Sequence, residues 1–455
     1  MKIPVPEQLK KLAAALGTPL YAVGGYVRNY LYREYVSEDI DLAAGIGEEP
    51  FSAAAKECGF AVKGLYVKTR TAVIECGGVR CEYTAFRKDR YPEGGEHRPL
   101  STEPAFSPEE DAPRRDFACN AVYYDISGDK IIDPLGGKED IARRRLRAAD
   151  AERVFSSDGL RLMRLARFAG ELGFEPEENT VFAARKNAAL IKDVAPERVF
   201  SELKRILSAD CKYPFSPKDG HYRGLKILDK TRVLDYIMPE LTLGRGMPQR
   251  ADFHKYDVLE HTLKTVLYSP LSVRLAALLH DVGKPASMLE TGKFSGHDAV
   301  GEKLAVKILA RLKADKKTAS ETAFLAGAHM KDLNGDMRES KVRLFIAENY
   351  GRTEDLLQLK QADFSAGKDD LSEAPIVKKW RAIMRKMERE GAPFTRKMLK
   401  ITAADLIQTG FSGKGVGDEL DRLFKLSAAG EIKNAREDLM RQAERDFERN
   451  DGKTI

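Results

Sequence analysis

The sequence predicts an α+β N-terminal domain followed by a mostly all-α remainder, and three observations predict it. Up to about residue 142, short apolar runs that read as strands alternate with helical patterns. From Asp140 onward the strand signals stop, and apolar residues recur at helical spacing, as with Leu160, Met163, Leu165 and Phe168 among arginines. At 455 residues the chain is too long for one hydrophobic core, and the expected division is 1–142, 143–240, 241–365 and 366–455.

Residues 20–23 read as a short buried strand, Gly24-Gly25 as a tight turn and residues 26–35 as a helix. A second strand carries Asp39-Ile40-Asp41. Residues 66–86 read as a hairpin turned by Gly77-Gly78, with Glu82 in its second strand. Residues 88–113, polar and rich in Pro, Gly and Glu, predict a long mobile loop. Asp158 and Arg161 stand three apart on a predicted helix, hence on one face. The breakers in Tyr213-Pro214-Phe215-Ser216-Pro217-Lys218-Asp219-Gly220 predict a boundary. The apolar helix over residues 273–279 is expected to end at His280-Asp281, stopped by Gly283 and Pro285. Residues 436–449 alternate in charge as a solvated helix would.

A formal charge of +6 is modest for this length, so any nucleic-acid surface is expected to be local. Arg143, Arg144, Arg145, Arg147, Arg153, Arg161, Arg164 and Arg167 form such a stripe, although a run of this kind is as often a solvated helix face. Five cysteines, odd in number and without a Cys-x-x-Cys pair, read as reduced thiols. The first residues hold no apolar leader, and no apolar run approaches the roughly 18 residues of a spanning helix. A cytoplasmic protein without membrane contact is expected, and no protein partner is evident.

Side chains at i and i+2 of a strand share a face, so Asp39 and Asp41 can hold a pair of hard cations. Two Mg²⁺ ions about 3.5–4 Å apart are the usual device for in-line displacement at phosphorus. Gly24 and Gly25 let backbone N–H groups approach a triphosphate, and the following helix start favours its charge. A lone Asp-x-Asp is usually only a solvated strand; the glycine turn placed one helix upstream makes the chemical reading the better one. On spacing alone, Glu82 is equally a third carboxylate or an exposed strand residue.

Gly24-Gly25-Tyr26-Val27-Arg28 followed by Asp39-Ile40-Asp41 resembles the head of class II tRNA nucleotidyltransferases and bacterial poly(A) polymerases, members of the polymerase-beta-like nucleotidyltransferases. The likeness continues through Cys81-Glu82-Tyr83-Thr84-Ala85-Phe86-Arg87, Arg114-Arg115-Asp116-Phe117-Ala118-Cys119-Asn120-Ala121, Asp133-Pro134-Leu135-Gly136-Gly137 and Asp158-Gly159-Leu160-Arg161-Leu162-Met163-Arg164-Leu165-Ala166-Arg167-Phe168. Asn29 stands where the family usually has Asp, and Ser157 where it usually has Glu. The resemblance implies Asp39, Asp41 and Glu82 as catalytic. It implies a nucleotide site of Gly24, Gly25, Arg28, Arg114, Arg115, Asp116, Asn120, Asp158, Arg161, Arg164 and Arg167. The implied partners are tRNA, CTP and ATP, with Mg²⁺ as cofactor.

Cytosine and adenine each present an amino donor beside a ring-nitrogen acceptor, and a carboxylate with a guanidinium complements both. Guanine and uracil present the reverse pattern. The Asp158/Arg161 pair is thus suited to choosing C and A without a template, a role the resemblance also implies.

His261, His280-Asp281, His297, His329 and Asp363 fall in one later region. Imidazoles with carboxylates suit a transition-metal or mixed Mg²⁺/Mn²⁺ site that activates water. The region resembles the HD phosphohydrolase superfamily, which implies His261, His280, Asp281 and Asp363 as ligands. Such domains also persist as scaffolds. The residues from Ile401 to Gly417 resemble the tail of HD-containing tRNA nucleotidyltransferases, which suits contact with RNA phosphates.

The expected function is therefore template-independent addition of the 3′-terminal C-C-A of tRNA. The alternatives are a poly(A) polymerase, an enzyme adding only CC or only A, or an HD metal phosphohydrolase with an RNA-binding head.

Overall fold

Alternation of apolar and polar residues builds the first part of the chain into a seven-stranded sheet in a computed structural model describing residues 2–90 and 101–451. Its strands are β1 (Tyr21–Val23), β2 (Asp39–Ala44), β3 (Ala61–Tyr66), β4 (Thr71–Cys76) and β5 (Val79–Ala85), with two more after an excursion. That excursion is a ribbon of β6 (Arg87–Arg90) and β7 (Ser101–Pro104); β8 (Tyr123–Asp125) and β9 (Lys130–Ile132) then complete the sheet. The spatial order is β3-β4-β5-β2-β1-β8-β9, with β2 and β5 parallel and the other neighbours antiparallel. The expected Gly77-Gly78 turn joins β4 to β5, both glycines at positive φ.

Strand alternation gives the sheet two unlike faces. Leu42 and Tyr83 are paired in register and buried, and Tyr83 stacks on Phe51 of the helix Glu48–Glu57 with centroids 3.6 Å apart. The opposite face carries the acidic residues. The expected mobile loop over 88–113 is corrected in part. Arg87–Arg90 pairs with Ser101–Pro104, and a short helix, Pro108–Asp111, follows; residues 91–100 lie outside the described residues. The ribbon forms because Asp89 is buried against Arg87 at 2.8 Å, while its carbonyl accepts from Arg153 at 2.7 Å.

Beyond the sheet the chain is helical, apart from a two-residue parallel pairing of Arg145–Leu146 with Glu175–Pro176. By contacts it forms two compact units. The first is Met1–Thr242 with Arg311–Ala314, and the second is Leu243–Ala310 with Asp315–Ile455. The breaker stretch over 213–220 leads into the helix Gly220–Lys230 after the short turn Ala209–Cys211, and it marks no boundary between these units. Tyr213 and Phe215 stack at 5.0 Å within an aromatic cluster with Tyr32 and Tyr35, and the helix Gly220–Lys230 packs tightly on Leu160–Leu172 through Gly170 and Gly220. The arginines from 143 to 167 form no single solvated face. Arg145 and Arg147 both pair with buried Asp140, and Arg167 pairs with Glu171 and Glu202.

In the second unit, the apolar helix ends at Leu279 as expected, but Gly283 and Pro285 begin the next helix, Gly283–Thr291, instead of stopping one. Proline is tolerated in a first turn because its missing N–H has no partner there anyway. The tail has its own core of Leu406, Leu423, Leu439, Ala443 and their neighbours. The helix Arg436–Asp451 is therefore amphipathic rather than simply solvated. Its neighbour Ala403–Thr409 begins with a capping box between Thr402 and Asp405. No helix among the described residues is long and apolar enough to cross a membrane, and all five cysteines are free thiols.

Two candidate sites: carboxylates on a sheet and a buried His/Asp cluster

The register of the parallel pair β2/β5 decides what stands beside Asp41. Asp41 lies opposite Glu82 and Asp39 opposite Arg80, so Asp39, Asp41 and Glu82 share one face, all exposed. Antiparallel pairing of Val23 with Asp41 brings the turn after β1 to the same place. Gly24 there has φ 72° and ψ −138°, a conformation only glycine adopts readily, and a Cβ on it would lie 2.6 Å from Asp41 Oδ2. The glycine is thus a cradle for that carboxylate. Protein crowding raises the Asp41 carboxyl pKa to about 6; Arg115 acts against the shift and Glu82 adds to it. An all-oxygen set held this way fits a hard divalent cation.

Arg114 and Arg115 are anchored by Asp111, a fully buried carboxylate that receives Arg114 Nε at 2.6 Å, Arg115 Nε at 3.0 Å and the Tyr123 hydroxyl at 2.7 Å. Burial works against its charge, but the two guanidinium groups outweigh it and hold the pKa at about 2. In the sequence Asp111 falls in the expected loop over 88–113 and draws no role of its own. Its i+3 and i+4 spacing to the arginines was the available signal.

Asp116 Oδ1 accepts from Asn120 Nδ2 at 3.0 Å, and its Oδ2 accepts from Arg164 Nε at 2.8 Å. Burial would raise the Asp116 pKa, and Arg164 and Asn120 reverse that. Arg28 is 1 % exposed and turned inward: its guanidinium donates to Asn29 Oδ1, to Asn120 Oδ1 at 2.6 Å and to the Tyr213 hydroxyl. It braces the site from beneath. Asn29 thus supplies this arginine with an acceptor.

Asp158 is not on the helix with Arg161. It has extended backbone between the helices Ala151–Ser157 and Leu160–Leu172, and its Oδ1 accepts from Leu160 N–H at 2.9 Å. Arg161 is in the first turn, its Nη2 donating to the Arg114 carbonyl at 2.8 Å and its Nη1 reaching Ser157 Oγ at 3.3 Å. Asp158, Arg161 and Arg164 are half-buried. Arg167 is committed to Glu202 at 2.7 Å and to Glu171 at 3.2 Å, away from any open face.

The second site lies wholly in the helical unit. His261 (helix Val258–Tyr268) and His280 (just past Arg274–Leu279) point their Nε2 atoms at Asp363 Oδ1 and Asp281 Oδ2, at 2.9–3.6 Å. Asp281 turns its other oxygen, Oδ1, to His297 Nε2 at 3.2 Å and His329 Nε2 at 3.6 Å. The sequence noted His297 and His329 but left them out of the ligand set. Gly283 makes the approach of the His297 segment possible, since a Cβ there would lie 2.1 Å from the His297 carbonyl.

Two groups of three donors, His261/His280/Asp281 and Asp281/His297/His329, each lie within 4.8 Å. The Nδ1 atoms of His280, His297 and His329 face the carbonyls of Ala277, Phe294 and Ala326 at 2.7–2.8 Å. Those carbonyls accept an N–H, so that in the neutral ring each Nε2 is the nitrogen whose lone pair faces the cluster. His297 Nε2 and His329 Nε2 are only 3.2 Å apart, a contact that suits a shared cation. Burial opposes charge on His280, yet Asp281 and Asp363 lift its pKa to about 10, whereas burial lowers that of His329. Lys284 Nζ reaches Asp281 Oδ2 at 2.6 Å and Gln249 Oε1 at 2.7 Å.

Comparison with known proteins adds three family models in order. They are the poly A polymerase head domain at residues 20–147, a probable RNA and SrmB-binding site of polymerase A at 173–243, and the HD domain at 258–400. The A-adding tRNA nucleotidyltransferase of Deinococcus radiodurans is 35% identical over 346 residues, covering 71% of this chain and 76% of that protein. The CC-adding tRNA nucleotidyltransferase of Thermus thermophilus is 31% identical, covering 71% and 74%. Among solved structures, a Bacillus stearothermophilus CCA-adding enzyme in complex with CTP matches with a TM-score of 0.67 and 23% identity, covering 99% of this chain and 100% of that one. A Thermotoga maritima CCA-adding enzyme complexed with tRNA matches with a TM-score of 0.61 and 18% identity, covering 97% and 94%. With its strand-borne carboxylates, its inward arginines and its helical His/Asp cluster, the chain belongs to the tRNA nucleotidyltransferase and poly(A) polymerase family, in the branch that carries an HD domain.

Proposed function

We propose that this protein adds and repairs the 3′-terminal C-C-A of tRNA from CTP and ATP without a template. The observation that carries the reading is the β2/β5 register, which sets Asp41 beside Glu82 on the face shared with Asp39. The terminal ribose hydroxyl attacks the α-phosphorus of the bound nucleotide, and pyrophosphate leaves. Asp39, Asp41 and Glu82 are the residues that would hold Mg²⁺, which supplies charge neutralisation at the phosphoryl group.

Gly24 and Gly25 leave room for the triphosphate at a helix start. Arg115, fixed by Asp111, presents positive charge on the Asp41 side. Asp158 accepts from the amino group of cytosine or adenine while Arg161 donates to the neighbouring ring acceptor. Residues 1–142 thus form the head that performs the transfer, 143–240 a neck that selects the nucleotide, 241–365 the HD domain, and 366–455 a tail that meets tRNA. Names among the relatives include A-adding, CC-adding and multifunctional CCA proteins, so the test must separate these activities. It supplies tRNAs lacking one, two or all three terminal nucleotides with CTP and ATP, separately and together. Full C-C-A restoration supports the proposal; extension by A alone or CC alone narrows it, and no extension ends it.

A second activity is favoured by the helical cluster. We infer a phosphohydrolase centre in which His261, His280, Asp281 and Asp363 would hold one transition-metal or Mg²⁺/Mn²⁺ ion, and Asp281, His297 and His329 a second. Such ions lower the pKa of a water nucleophile. Hydrolysis of phosphate esters under Mg²⁺, Mn²⁺, Ni²⁺ and Co²⁺ tests it, and inactivity under all four would leave the domain a scaffold.

A further inference from the structure

We propose that Lys360 is a positioning residue for the second cation site of the helical cluster, acting through His329; this rests on the two-cation reading above. Lys360 lies in the helix Tyr350–Lys368, three residues before Asp363, and is 3 % exposed. Its partners are two backbone carbonyls: Nζ donates to the oxygens of His329 and Lys331, each at 2.6 Å. These carbonyls follow the helix Lys316–Ala328, where the last C=O groups have no partner within a helix and a cation is favoured.

Burying a lysine is costly, and charge-assisted hydrogen bonds of this length are what make it tolerable. Burial moves the ammonium down to about 8, with Asp363 and Asp332 acting the other way. The Trp380 ring, 5.8 Å from Nζ, closes the far side. His329 is thereby fixed at two points. Lys360 holds its carbonyl, and its own Nδ1–H bonds the Ala326 carbonyl at 2.7 Å. Between those anchors its Nε2 is presented 3.2 Å from His297 Nε2.

Without the ammonium, the buried His329 carbonyl and the partly buried Lys331 carbonyl lose their donor, and the segment carrying His329 must move to satisfy them. None of the first cation's expected ligands, His261, His280, Asp281 and Asp363, is held by these bonds. One helix therefore serves both positions, contributing Asp363 directly to one and steadying His329 for the other.

The experiment uses full-length protein, its Lys360→Met variant (similar length, no donor) and its Lys360→Gln variant (a neutral donor). Each is loaded with Mn²⁺, desalted, analysed for metal content and titrated by EPR. Nucleotide addition and thermal melting on the same samples check the fold. With excess Mg²⁺ present to occupy the oxygen-ligand face of the head, the unsubstituted protein is expected to hold two Mn²⁺ per chain in the helical cluster. Lys360→Met should keep the first and bind the second about tenfold to a hundredfold more weakly, with Lys360→Gln between them. Two Mn²⁺ at unchanged affinity in Lys360→Met would overturn the role whatever the melting temperature does. Should that variant fail to fold, unchanged second-site affinity in Lys360→Gln overturns it equally. A single Mn²⁺ in the unsubstituted protein overturns the two-cation reading, and this proposal with it, a failure visible before any variant is made.

Discussion

In the head, acidic side chains stand exposed on adjacent strands; in the helical unit, four histidines and Asp281 close on one another with almost no solvent access, and only Asp363 is partly exposed. The sheet positions its donors by register, so three residues on two neighbouring strands define a face that stays exposed. The helical unit gathers its donors from several segments and locks three rings individually through carbonyls three residues upstream. An open carboxylate face suits labile, oxygen-bound Mg²⁺, whereas a buried imidazole cluster suits a firmly held transition metal. Two ways of presenting ligands thus imply two chemistries that substitutions should separate.

The largest separation is expected from Asp39→Ala or Asp41→Ala. Each should lower nucleotide addition about a thousandfold or more, corresponding to several kcal/mol of lost charge stabilisation. Phosphate-ester hydrolysis by the same preparations should not change; retained addition would break the contrast at its root. The reciprocal substitution, His280→Ala with Asp281→Ala, should lower hydrolysis about a hundredfold or more and leave addition at its original rate. A well-folded double variant that loses addition would show that the two centres are coupled.

Arg161→Ala sharpens the head side. Loss of the donor should cut discrimination of CTP against UTP by about tenfold to a hundredfold, read as the ratio of kcat/KM values, with overall triphosphate binding less affected. Gly24→Ala should cost about 1–3 kcal/mol and weaken Mg²⁺ activation, measured by melting and Mg²⁺ titration of addition. An unchanged Mg²⁺ requirement would mean that the glycine does not cradle Asp41. The smallest effect is reserved for Thr402→Ala, which removes a capping-box hydroxyl remote in sequence from both centres and should cost about 1 kcal/mol without altering either activity.

The α+β head and the helical remainder were legible because strand and helix periods differ, and the Gly77-Gly78 turn fixed the hairpin. Asp39 and Asp41 were legible as partners because they alternate on a single strand. Spacing alone left Glu82 open, since a parallel neighbour far along the chain leaves no local trace, and only the family resemblance put it with the two aspartates. Asp158 was misplaced because Gly159 permits a helix break that periodicity passes over. Arg28 and Arg167 looked like open cations; only their packing against Asn29, Asn120, Glu171 and Glu202 shows them committed. His297 and His329 were visible as falling in one region with His261 and His280, but nothing in their spacing indicates that Asp281 turns one oxygen to each pair. The ribbon flanking residues 91–100 was hidden by composition, because charged strand residues resemble loop residues until Asp89 is seen to be buried.

The β4–β5 hairpin is also a ruler. β5 reaches β2 only after that turn, so the length of Gly77-Gly78 helps set which β5 residue arrives opposite Asp41. A single-residue insertion that slid β5 by one step would bring Cys81 or Tyr83 to that place and rotate the glutamate to the opposite side of the sheet. A slide of two would return the glutamate to its face but set Arg80 or Thr84 opposite Asp41, so any change in the turn that moves β5 along β2 separates the two carboxylates, a constraint on length that no substitution at the carboxylates themselves would reveal.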